Sequence, residues 1–159
     1  MKTIISICIA LFFTFVCACE RVEENYLSEN VEYAAAQYDL LIEKLEKNGK
    51  PWAPRTVDTK GNIVYARNVW DWTSGFFAGS LWYLYNLTGD EKWKTLAKKY
   101  TEALKQQQYI TSHHDIGFII GCSYLNGMRM GQEAYDTIIV QAAKSLSTRF
   151  LIAFFIEII

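Results

Sequence analysis

The sequence predicts an all-α fold built of stacked helical hairpins, one helix of each pair inside and its mate outside. Three observations carry this reading. Amphipathic segments alternate with segments that are apolar almost all round. The connections between them are short, and they hold the residues that usually stop one helix and start the next. The chain is 51% hydrophobic and 15% aromatic, which excludes a disordered polymer. Sixteen Lys and Arg against seventeen Asp and Glu leave a net charge of −1, which gives no electrostatic case for a nucleic-acid partner. No fixed-period repeat of the tetratricopeptide kind is present.

The N-terminus reads as a targeting segment. Lys2 precedes an apolar run from Ile4 to Val16, and Val16-Cys17-Ala18-Cys19 has the form of a bacterial lipobox, with small residues just before the cysteine. A run of roughly 13 residues is short for a membrane span, which takes about 20. Residues 1–18 are therefore expected to leave as a signal peptide and Cys19 to carry lipid, anchoring the protein in the bacterial cell envelope. The lipid would be its one link to the membrane. Residues 19–28 are polar and suit a tether. Of the four cysteines, only Cys122 then stays free in the body, so no internal disulfide forms; its apolar setting suits a buried structural thiol.

The first helix places Val31, Ala34, Tyr38, Leu41, Ile42 and Leu45 at three- and four-residue spacing, and Gly49 and Pro51 stop it. Residues 54–69 read as loop, with room for a short hairpin around Lys60-Gly61. A second helix over residues 73–87 carries Phe76, Phe77, Leu81, Trp82, Leu84 and Tyr85, apolar enough all round to be buried on several sides. Thr88-Gly89-Asp90 is a tight joint, with Asp90 as N-cap of a third helix. That helix keeps Trp93, Leu96, Ala97, Tyr100 and Leu104 on one stripe and Lys92, Lys94, Lys98 and Lys99 outside it. A fourth, largely buried helix is expected over 116–125, ending near Asn126-Gly127. A fifth over 132–150 has Ala134, Ile138, Ala142 and Leu146 inside. Residues 151–159 are apolar except for Glu157, a poor close for a soluble domain because an exposed apolar end invites aggregation.

Chemistry concentrates in two blocks, Asp71-Trp72-Thr73-Ser74-Gly75-Phe76 and His113-His114-Asp115-Ile116-Gly117-Phe118. A carboxyl group at a helix junction, facing an aromatic and glycine-rich helix start, suits a site for a flat hydroxylated ring. Aromatic faces bind the apolar side of a sugar while the carboxyl handles protons. In the first turn of a helix, Asp115 would have its negative charge favoured by about 0.3–1 kcal/mol, while burial would push the other way. Taken singly, Trp72 and Trp82 are more often core, and His113 and His114 more often a polar helix entry whose neighbouring side chains point about 100° apart. Two histidines are too few for a His-based metal site.

Together with Gly79-Ser80-Leu81-Trp82 and Thr88-Gly89-Asp90, the two blocks resemble the unsaturated glucuronyl hydrolases of glycoside hydrolase family 88, over roughly residues 30–150. The resemblance implies an (α/α)6 barrel, a six-hairpin toroid, of which about five helices are present here in residues 29–150. It implies hydrolysis of oligosaccharides left by polysaccharide lyases: the vinyl ether of a 4,5-unsaturated uronic acid at the non-reducing end is hydrated, the hemiketal opens, and the remaining sugar leaves. No metal or cofactor is implied. Asp115 falls at one of the family's two catalytic aspartates, Trp72 at an aromatic beside the substrate, and His114 just before the aspartate.

The chain departs from the pattern after residue 150. The second catalytic aspartate is expected beyond the fifth helix, but the sequence there runs into residues 151–159 with no candidate, so the 159-residue chain is expected to be inactive or nearly so. Unsaturated rhamnogalacturonyl hydrolases share the fold and a related aromatic-glycine block, and stand second because the double histidine fits them less well. A non-catalytic glycan-binding lipoprotein, stacking sugars on Trp72 and Trp82, is the alternative of another class.

Overall fold

A computed structural model of the chain describes residues 25–47, 49, 51–66 and 71–156, with side chains to residue 149. The lipobox with Cys19 lies outside the described residues. Two compact units are present, residues 1–42 and 43–159. In the first, helix α1 (residues 25–46, extending into the second unit) half-buries its stripe of Val31, Ala34, Tyr38, Leu41 and Ile42. Helix already covers 25–28, part of the expected tether, where Ser28 Oγ donates to the Asn25 carbonyl and Asn30 Nδ2 to that of Tyr26.

The second unit opens with the end of α1, where Leu45 is buried and Glu46 pairs with Lys99 at 2.6 Å. The hairpin suspected around Lys60-Gly61 is present as antiparallel strands β1 (Ala53–Val57) and β2 (Ile63–Ala66). Asp58 makes its turn: Oδ1 accepts the Lys60 and Asn62 amides and Oδ2 the Asn62 side chain, while Gly61 takes φ 79°. These bonds, the Asn62 side chain foremost, hold the Asp58 carboxyl below its ordinary range. A bulge interrupts the register between Pro54 and Thr56.

Two helical hairpins follow. Helix α2 (Ser74–Thr88) ends at Gly89, φ 69°, whose amide donates to the Tyr85 carbonyl. Asp90 caps α3 (Glu91–Glu102) by accepting the Lys92 amide at 2.9 Å, as expected. The helices run antiparallel. Phe77 meets Tyr100 edge-on at 4.7 Å, and the Trp82 indole N–H donates to Thr101 Oγ1 at 3.0 Å.

A 3-10 turn (Lys105–Tyr109) that the sequence did not announce leads on, its Gln108 carbonyl accepting from Ser145 Oγ at 2.6 Å. The expected fourth helix is one continuous rod in three parts: α4 (Ile116–Ile120), a π turn (Gly121–Leu125) and α5 (Asn126–Arg129). It runs past Asn126-Gly127 because Gly127 does not stop it. A Cβ there would lie 2.7 Å from the Tyr135 ring and 2.9 Å from that of Trp82, so this glycine serves close packing, and the turn falls at Gly131, φ 90°. After a short 3-10 turn (Glu133–Tyr135), α6 (Asp136–Ile156) runs back, Leu146 beside Gly117 and Tyr135 against Tyr124. The helix does not break after residue 150, since no glycine or proline interrupts 151–156.

The two hairpins join through glycines. A Cβ on Gly75 would meet the Ile119 carbonyl oxygen at 2.3 Å, and one on Gly79 that of Cys122 at 2.6 Å. Positions 75, 79 and 82 thus lie beside 119, 122 and 127, so α2 and the α4–α5 rod run parallel with their starts at the same end. The expected burial of α2 on several sides holds for Phe77, Leu81, Trp82 and Leu84. A stripe of Phe76, Tyr83 and Leu87 stays exposed, because α3, β1 and α4 cover the other sides.

Candidate active site

The site forms where the parallel helices begin. Asp115 immediately precedes α4, its carbonyl accepting the Phe118 and Ile119 amides, while its carboxylate is one-quarter exposed. Both histidines reach that carboxylate from opposite environments. His113 is buried with Nδ1 3.9 Å from Oδ2; His114 is largely exposed with Nε2 3.3 Å from Oδ1. Both residues precede the helix rather than opening it, and their rings, one buried and one exposed, flank one carboxylate.

Trp72 lies two residues ahead of α2, next to its N-cap Thr73. Its ring lies 5.6 Å from Phe76, edge-on, and 5.8 Å from Phe118, while Phe76 and Phe118 are 6.4 Å apart. All three are close to half exposed, against the general rule that aromatics fill cores. Trp72 and Asp115 thus stand at one end of the paired helices, linked through Phe118, one turn beyond Asp115. No cavity described encloses both. One cavity of about 350 Å³ runs from Phe76 along Ser80 and Tyr83 to Cys122, Asn126 and Arg129.

Sequence reasoning missed Phe76 and Phe118, although they follow Trp72 and Asp115 by only four and three residues, in the first turn of each helix. It also passed over His113 and Asp71. The latter is a buried carboxylate bonded to Thr73 and Arg55. Trp82 is not a stacking platform: it is fully buried, its N–H held by Thr101. Cys122 is free but only partly buried, and burial pushes its thiol up, away from the reactive thiolate. Among the described residues, no three His, Cys, Asp or Glu side chains cluster as metal ligands would.

Comparison with known proteins identifies relatives of the chain. The family model of glycosyl hydrolase family 76 matches residues 23–155. An unsaturated glucuronyl hydrolase of Formosa agariphila is 29% identical over 160 residues, covering 94% of this chain and 39% of its own length. A solved unsaturated glucuronyl hydrolase specific for heparin superposes with a TM-score of 0.59 at 40% identity, over 63% of this chain and 27% of that one. Another, from a Bacillus species, gives 0.57 at 27% identity, over 67% and 29%. These solved relatives have the expected (α/α)6 barrel, and the chain spans about four-tenths of the curated relative's length. Family 76 is a different family from the one the two motif blocks resemble, with the same fold. By its family model the chain belongs to the glycosyl hydrolases of family 76, and along nearly its whole length it is similar to unsaturated glucuronyl hydrolases, as its blocks at Asp71–Phe76 and His113–Phe118 led us to expect.

Proposed function

We propose that the whole protein to which this chain belongs hydrolyses oligosaccharides bearing a 4,5-unsaturated uronic acid at the non-reducing end, and that Asp115, Trp72 and His114 lie in its sugar site. The observation that carries this is the Asp115 carboxylate flanked by two imidazoles, at the same helix ends as the exposed aromatic surface of Trp72, Phe76 and Phe118. The reaction is taken from the glucuronyl hydrolases rather than from family 76, because the curated relative and the solved structures that this chain resembles are glucuronyl hydrolases. One of the solved relatives is described as responsible for glycosaminoglycan degradation, and another as specific for heparin.

The chemistry follows from the groups present. A vinyl ether is hydrated by adding a proton to C4 and the hydroxyl of a water to C5, that water giving up its other proton to a base. The product is a hemiketal, whose ring opens to a keto form and releases the adjoining sugar. Asp115 is the proton-handling carboxyl, and the His114 and His113 rings beside it hold its orientation. The sugar's apolar face rests on Trp72.

Titration calorimetry of the chain with an unsaturated glucuronyl disaccharide and its saturated counterpart tests the reading. Saturable binding that prefers the unsaturated sugar is expected, with little or no loss of alkene absorbance from the 159-residue chain itself. Equal binding of both sugars, with no turnover by a longer form, would instead mean a glycan-binding protein.

The same reading takes Cys19 as lipidated, supported by the small residues before it and the apolar run ahead of them. Labelled palmitate fed to a bacterial host should enter the wild-type chain and not Cys19→Ser; label in neither would refute the anchor.

A further inference from the structure

Trp72 sits between two residues that are bonded to each other. The Asp71 carboxylate is only 6% exposed, and both its oxygens are used: Oδ1 accepts Thr73 Oγ1 at 2.5 Å and the Thr73 amide at 3.3 Å, and Oδ2 lies 3.5 Å from Arg55 Nη1. The Asp71 carbonyl accepts the Ser74 amide at the start of α2. Arg55 comes from the hairpin, at the bulge between Pro54 and Thr56, the sort of irregularity that re-aims a strand side chain. A buried carboxylate is costly unless it is paired and hydrogen-bonded, and an uncharged N-cap would serve if starting a helix were its whole task. Thr73 occupies that N-cap position with no side-chain cap of its own, because its hydroxyl is given to Asp71.

We infer that Asp71 is a positioning residue: with Arg55 and Thr73 it clamps the backbone on both sides of Trp72, so that the indole stands half exposed against Phe76 and Phe118 as the wall of the sugar site. This rests on the sugar-site reading of Trp72 above. It adds a device that fixes the wall before sugar arrives, joining the hairpin to the active end of the helices.

Two measurements on the 159-residue chain separate this inference from the reading it rests on. The near-ultraviolet circular dichroism of wild type minus that of Trp72→Phe isolates the Trp72 signal. The same difference should collapse in Asp71→Asn, Arg55→Gln and Thr73→Val backgrounds and persist with Thr73→Ser, which keeps the hydroxyl. Should Asp71→Asn not fold, Arg55→Gln, at a half-exposed side chain, carries the test. In parallel, Thr73→Val should weaken binding of the unsaturated disaccharide by about three- to tenfold, an effect absent once Trp72 is already alanine. An unchanged Trp72 signal in folded Arg55→Gln and Thr73→Val would overturn the clamp even if sugar binds. Absence of sugar binding to wild type, with a collapsing Trp72 signal, would refute the sugar site and leave the clamp standing.

Discussion

Asp115 stands between two histidines, a buried imidazole on one side and a solvent-facing one on the other. In a form of the protein that turns over, Asp115→Asn should lower the rate at least ~100-fold while sugar binding stays near wild type, read by loss of alkene absorbance. The tryptophans show where residue-level reading stops. Trp72 and Trp82 are alike as letters beside glycine, yet one is half exposed and the other fully buried. The distinguishing contact, Trp82 to Thr101, spans 19 residues and two helices, so no local pattern announces it. Thr101→Val should strand that indole N–H and lower stability by about 1–3 kcal/mol, seen in the urea midpoint.

At the scale of elements, apolar spacing and capping residues made α2, α3, the turn at Gly89 and the cap at Asp90 legible, because those signals act within a few residues. The π turn, the extension through Arg129 and the 3-10 turn before the site were not legible. They answer to contacts made by other helices, such as the rings of Trp82 and Tyr135 closing on Gly127. The parallel pairing of α2 with α4 rests on glycines and yields a contrast of sign. Gly75→Ala would drive a Cβ into the Ile119 carbonyl and should cost about 1–3 kcal/mol or more by thermal melting. Gly121→Ala, in helical backbone with open space around it, should be neutral or stabilising by up to about 1 kcal/mol. Equal losses at both positions would contradict glycine-mediated packing.

For the whole molecule, the hairpin-on-hairpin plan was readable from alternating amphipathic and apolar helices, and the likeness to unsaturated glucuronyl hydrolases from two short blocks. The aromatic surface around Trp72 was not, since Phe76 and Phe118 come together only when two helices start side by side. Burial of phenols sets an alkaline limit to stability. Burial, with Glu46 and then Tyr65 adding to it, pushes Tyr100 up from 10.0 to about 12, and burial raises Tyr124 and Tyr135 likewise. A phenol whose folded value is raised supplies stability that is whole below its unfolded value and is lost as pH climbs through the folded one. The urea midpoint should therefore fall as pH rises from 10 towards 12, and fall less in Tyr100→Phe.

The most direct test of a single sugar site at the paired helix starts is an NMR titration of the 159-residue chain with unsaturated glucuronyl disaccharide. The Trp72 indole and the His113 and His114 ring signals should shift together along one saturation curve. A Trp72 response without the histidines, two unequal curves, or no saturable shift at all would contradict it.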